Sequence, residues 1–179
     1  MNIHERLEDL FQKHGLTDYK IINPKEIVVA QWVRMKCEFS CNSYGKRACC
    51  PPNTPPVSDC RQFFDEYSTG AIFHFEKVVK TREERHSWGS EINRKLLELE
   101  REVFLSGYQK TFLLFVATCH LCSECTGVKE ECQEPLSSRP VPEAMAVDVF
   151  GTARRHGFPI EVLTDPSQAM NRYSILLVE

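Results

Sequence analysis

Four cysteines in one short stretch, Cys119, Cys122, Cys125 and Cys132, constrain this chain more than any other feature of its sequence. Three recur at two-residue gaps and the fourth follows after six residues, with Gly127 inside the last interval and an apolar run, 111–117, leading in. His, Ser, Glu, Thr and Gly fill the gaps, and that mixture has neither the period of a helix core nor the alternation of a strand. The pattern therefore predicts a ligand loop at the end of a strand rather than four small buried hydrophobes.

Soft thiolates narrow the metal to zinc, copper(I) or an iron–sulfur cluster. A single zinc ion usually takes its thiols as two distant pairs, or as one pair with histidines, so that four ligands can close a tetrahedron. Three thiols at two-residue gaps suit a larger object, and the bacterial ferredoxin run is the nearest familiar spacing. The match is partial, because the last gap is six and Pro135 stands three residues after Cys132. The spacing predicts a 4Fe-4S cluster on Cys119, Cys122, Cys125 and Cys132, with zinc as the alternative. His120, in line with Cys119, is expected to point away from the thiols.

A second group, Cys37, Cys41, Cys49, Cys50 and Cys60, is followed or interrupted by Pro51, Pro52, Pro55 and Pro56, which forbid continuous helix or strand. The segment reads as an irregular loop of the kind that wraps a site. Cys37, Cys41 and Cys50 make a candidate second metal set, whose three thiols would leave one iron open to water, substrate or another ligand. The same loop could instead hold zinc or pack over the first cluster. Tyr44 and Pro51 stand where two known cluster motifs need cysteine and glycine, so neither motif is present. Cys49 is ambiguous beside Cys50. Cys60 falls with Phe63, Phe64 and Tyr67 on one helical face behind a Ser58 cap, and reads as core. Arg34, Lys36, Lys46 and Arg47 crowd this loop, where their charge would offset thiolates or simply form a solvated rim. Arg139 follows the other loop and is placed to cap it or to hydrogen-bond its sulfurs.

With 179 residues the chain suits a single domain, 1–179, with its own hydrophobic core. Charge is interspersed and sums to −3, which lacks the basic excess of a nucleic-acid footprint. No apolar signal core or membrane-length run is visible, and nine cysteines, an odd number in tight clusters, point to metal in a reducing compartment rather than to disulfides. These features place the expected location in the cytoplasm.

The remaining elements follow from periodicity. Asn2 caps a first helix with Ile3, Leu7, Leu10 and Phe11 on one face, and Gly15 ends it. Residues 27–33 read as a strand, as do 71–79. Thr81 and Glu84 form a capping box for the longest helix, whose buried stripe is Trp88, Ile92, Leu96, Leu99 and Val103, with Glu91 and Lys95 as an exposed pair. This helix reads as pure scaffold. The run 111–117 suits a central strand buried on both faces. A helix over 142–156 carries Asp148 either near the site or on its exposed face, and 159–163 and 173–178 read as final strands. The order implies an α/β domain, with α+β possible, built on a mixed sheet with flanking helices and two cysteine-rich loops at its edge.

Taken together, the motif Cys37-x3-Cys41-x2-Tyr44-Gly45 leading to Cys50-Pro51-Pro52, and the motif Cys119-x2-Cys122-x2-Cys125-x6-Cys132 followed by Arg139-Pro140 and Glu143-Ala144, resemble the cysteine-rich prokaryotic "predicted metal-binding protein" family of unknown function. The resemblance runs from about residue 30 to the C-terminus. It implies metal binding by Cys37, Cys41 and Cys50 beside the four thiols of the second loop, and it brings no reaction with it. The residues point to an iron–sulfur protein with a redox or electron-transfer role and a redox protein as partner. The alternatives are a zinc-stabilised adaptor, or an enzyme using an open iron at the first loop, which would need a substrate-sized pocket there. The sequence leaves the oligomeric state open.

Overall fold

The alternation of residues along three strands decides the architecture. In a computed structural model that describes residues 2–179, Ala71 and Phe73 face one side of the sheet and Ile72 the other. Leu113 and Leu114 divide in the same way, as do Leu176 and its neighbours Ile175 and Leu177. Both faces are apolar, so both must be covered, and helices lie on each.

The strands are β1 (Tyr19–Ile22), β2 (Gly70–Lys77), β3 (Phe112–Leu114) and β4 (Met170–Leu177), in the spatial order β1-β2-β4-β3. Every pair is antiparallel, so the sheet expected to be mixed is not. Antiparallel sheets often leave one face wet; this one is buried on both. The helices are α1 (Ile3–Lys13), α2 (Gln31–Ser40), α3 (Val57–Asp65), α4 (Arg82–Leu105) and α5 (Val149–Arg155). Helices α1 and α4 place Leu7, Phe11, Leu96, Leu99 and Val103 on one face. On the other, α3 and α5 bring Cys60, Phe64 and Ala153 against Ile72, Leu114 and Ile175. The result is a layered domain of mixed α and β structure, and among the described residues no helix is long and apolar enough to cross a membrane.

Helix α1 has the expected capping box, Asn2 Oδ1 accepting from the Glu5 amide and Glu5 accepting from the Asn2 amide. Thr81 caps α4 in the same way, but Glu84 reaches back to the Lys80 amide rather than to Thr81. Lys95 does not pair with Glu91 and donates to the Gly15 carbonyl.

Several expected elements take another form. Residues 27–30 are extended, with Val29 bridged to Val147, but 31–40 are helical, so Cys37 rides on a helix and not in a loop. The apolar content that suggested a strand is met on α2 by Val33 turning inward. The run 111–117 is a strand only over Phe112–Leu114 and sits at the sheet edge. It is buried there because α4 covers it. The helix expected over 142–156 is broken: Pro142–Met145 form a 3-10 turn, Ala146 adopts a left-handed φ of 59°, and α5 starts afresh at Val149. Asp148 is its N-cap, accepting from the Gly151 amide at 2.9 Å. Residues 159–163 form no strand, leaving β4 as the final one, while β1 carries too short an apolar pattern to announce itself.

Candidate metal centre

Helix α4 fixes the start of the second cysteine loop. Gly89 lets the helix approach so closely that a Cβ there would lie 2.5 Å from the Ala117 side chain. One turn on, buried Asn93 donates to the Ala117 carbonyl and accepts from the Val116 amide. Farther along, buried Glu100 accepts from the Leu113 amide on the open side of β3 and from Arg139 Nε, both at 2.9 Å. These polar residues on the apolar stripe complete the hydrogen bonding of an edge strand, so α4 is more than scaffold. Arg139 also donates to the carbonyls of Leu136 and Ser138. It closes the loop through its main chain rather than through sulfur.

Beyond Ala117 the chain has no regular structure until Pro142, and Cys119, Cys122, Cys125 and Cys132 turn into one small cavity of about 20 Å³. A fifth thiol, Cys49, lines the same cavity from the first loop. Two backbone features lock the loops together. Gly127, at φ +75°, packs so that a Cβ would stand 3.2 Å from the Gly45 carbonyl oxygen. Asn53 Nδ2 donates to the carbonyls of Gly127 and Arg47, at 2.8 and 3.0 Å. The Ala48 amide points at Cys125 Sγ, 3.4 Å away, and the Cys132 thiol lies 3.6 Å from the Ser138 hydroxyl.

The thiols perturb one another. The Cys119 contact by itself lowers the pKa of Cys49, but its hydrogen bond with Cys50, burial and the neighbouring sulfurs outweigh it, and Cys49 is pushed up to about 12. Cys119 is raised first by its contact with Cys49 and then by burial. Desolvation raises Cys122, and the sulfurs of Cys119, Cys132 and Cys125 add to it. Adjacent groups that resist becoming thiolates together are those a cation would relieve.

The other set is separate. Cys37, in the last turn of α2, and Cys41, at its C-cap, are four residues apart and share a face. They line, with Cys50, a second cavity of about 540 Å³. Burial, and then Cys41, raise the pKa of Cys37, whose thiol faces the Glu143 carbonyl at 3.8 Å. Glu143, an exposed residue, lines the cavity, and desolvation raises the pKa of its carboxyl. Arg34, 7% exposed, ties the carbonyls of Pro55 and Ala144 together at 3.0 Å each, so it is part of the frame rather than a rim charge. Lys36 lies over the Trp32 ring, Lys46 is exposed, and Arg47 borders the small cavity.

The seven cysteines expected at metal sites thus fall into two sets, four around one cavity and three around another. Cys60 is wholly buried in the core as expected. His120 points away from the thiols, stacked on His86 with ring centroids 4.7 Å apart. The residue that local spacing could not assign is Cys49. Its signal is the Cys49-Cys50 doublet, whose neighbouring side chains serve opposite cavities.

The donor set fits a thiophilic metal, since five free thiols border one void. Among the described residues no three His, Cys, Asp or Glu side chains are gathered closely enough to hold a single ion. The void itself is about the size of one water, so loading requires the irregular loop to spread. No curated protein matches the chain, and no solved structure does. Residues 20–178, a span that contains both thiol sets and nearly the whole sheet, match the family described as "Predicted metal-binding protein (DUF2284)". The chain therefore belongs to this family of predicted metal-binding proteins.

Proposed function

We propose that this metal-binding protein carries a 4Fe-4S cluster on Cys119, Cys122, Cys125 and Cys132 and serves a redox or electron-transfer role. The observation that carries the reading is the convergence of four thiols from one irregular loop on a single cavity. Such a cluster supplies one-electron chemistry when bound. The chain's own part is to set its surroundings. The Ala48 amide beside Cys125 favours added negative charge on sulfur, and Arg47 at the cavity wall does the same. In this role its partner is another redox protein.

The cavity beside Cys37, Cys41 and Cys50 favours a second reading, in which these thiols hold an open metal and the protein is an enzyme. At about 540 Å³ it is of substrate size, with walls that include Val116, Val141, Val149 and Ile160.

Anaerobic purification, followed by a visible spectrum with iron, sulfide and zinc quantified per chain, tests both. A brown protein with about four irons supports one cluster, and about eight would fill the first set as well. A colourless protein with stoichiometric zinc would overturn the redox reading and leave a metal-stabilised adaptor.

A further inference from the structure

A third cavity, of about 780 Å³, opens at the head of α4. Arg82, Arg85, His86, His120 and Arg172 line it, with Lys80 at its margin, and Asp165 is its one acidic side chain. Asp165 is occupied locally, accepting from the amide and hydroxyl of Ser167. Among the described residues none of these basic groups takes part in an ion pair. Arg172 feels the imbalance: burial and then Arg85 lower its pKa, with Glu143 opposing them. Three guanidiniums around one locally occupied carboxylate repel one another, and an anionic ligand relieves that repulsion.

This cavity adjoins the apolar one. Ala117, Thr118, Leu163, Met170 and Arg172 line both. A basic chamber therefore lies beside an apolar chamber whose lining includes Cys37, Cys41 and Cys50. The basic groups sit in a concavity rather than along a stripe, on a chain of net charge −3, which selects a small anion over a polyanion. In the basic chamber three guanidinium forks outnumber one carboxylate, and they match a dianion with several acceptor oxygens better than a single carboxylate.

We propose that the two adjoining cavities together bind a small amphipathic molecule, its phosphate group on Arg82, Arg85 and Arg172 and its apolar body in the chamber beside Cys37, Cys41 and Cys50. The site goes beyond the cluster reading and stands whichever metal the thiols take.

Titration calorimetry on the full chain as purified tests this, with inorganic phosphate, phenyl phosphate, benzoate and phenol as probes. Phenyl phosphate is expected to bind about tenfold or more tighter than any of the other three, because it alone offers a phosphate to one chamber and an apolar ring to the other. Arg85→Gln, at an exposed helical position, should weaken both phosphates about tenfold while leaving the circular dichroism spectrum unchanged. Phe150→Ala, at the half-buried wall of the apolar chamber, should weaken phenyl phosphate only. Unchanged phosphate binding in Arg85→Gln overturns the assignment. So does phenyl phosphate binding no tighter than inorganic phosphate, and benzoate binding tighter than phenyl phosphate overturns the ligand class.

Discussion

The side-chain amide of Asn93 grips the main chain at Ala117, its Nδ2 donating to the Ala117 carbonyl at 2.9 Å while its Oδ1 accepts from the preceding amide at 3.0 Å. Cys119 lies two residues beyond, so one helix side chain sets where the thiol loop departs. Asn93→Leu would leave a buried amide and a buried carbonyl unpaired, at a cost of roughly 2–4 kcal/mol. Urea denaturation should show a lower midpoint, and metal retained per chain after gel filtration should fall with it.

Gly89→Ala offers an opposed pair of effects. Alanine favours a helix interior by about 1 kcal/mol over glycine. Here its Cβ would meet the Ala117 side chain at 2.5 Å, and the helix or the loop approach must shift. The expected net result is destabilisation of about 1–3 kcal/mol, read as a lower melting temperature. A rise would show that the close approach of α4 is not what seats residue 117.

The contact between the two loops should govern metal retention more than stability. Asn53→Ala removes the donor shared by Gly127 and Arg47, and Gly127→Ala combines a positive φ with a Cβ 3.2 Å from a carbonyl oxygen. Both variants should release metal faster to a chelator, with the larger effect for Gly127→Ala because backbone cannot move aside as a side chain can.

Cysteine substitutions should separate into two kinds. Cys60→Ala opens a small hole in a fully buried site and should cost roughly 1 kcal/mol with metal content unchanged. Cys122→Ser should lose metal, and Cys49→Ser should lower metal content too if the fifth thiol takes part, a result that local spacing alone would not anticipate. Metal analysis alongside thermal melting distinguishes the two.

His156 predicts a pH effect of definite sign. Burial holds its pKa below the ordinary 6.5, and Glu26 only partly compensates. The unfolded chain therefore binds the proton more readily, and stability present above pH 6.5 is lost as pH falls through the folded-state value. His156→Gln should flatten that part of the stability–pH curve, measured as denaturation midpoints between about pH 5 and 7.5.

What was legible in the sequence was whatever rests on local period or local caps. Asn2 with Glu5, Thr81 before α4, and the stripe from Ile92 to Val103 each declare a helix without help from the rest of the chain. The 119–132 loop was legible because its thiols fit no packing period, and Cys60 because it does. Asn93 and Glu100 were hidden, since a polar residue in an amphipathic helix reads as part of the wet face until a strand edge is found beneath it. Residues 31–33 misled because Trp32 and Val33 follow the β-branched run Ile27-Val28-Val29 and read as its continuation, while the helix there is held by distant partners such as the carbonyl of Ala144. Ala146 broke the expected helix through a left-handed turn that alanine rarely announces. Cys49 needed the third dimension, because only the fold shows which cavity each half of a doublet enters.

That doublet has a mechanical consequence. Cys49 and Cys50 are joined by one peptide unit and serve different chambers, so the backbone between them is a common wall. Spreading one chamber to admit a metal would displace the wall of the other, even though the two thiol sets share no sulfur. A metal taken up on one side would then alter the shape of the other, through the shortest lever that a polypeptide provides.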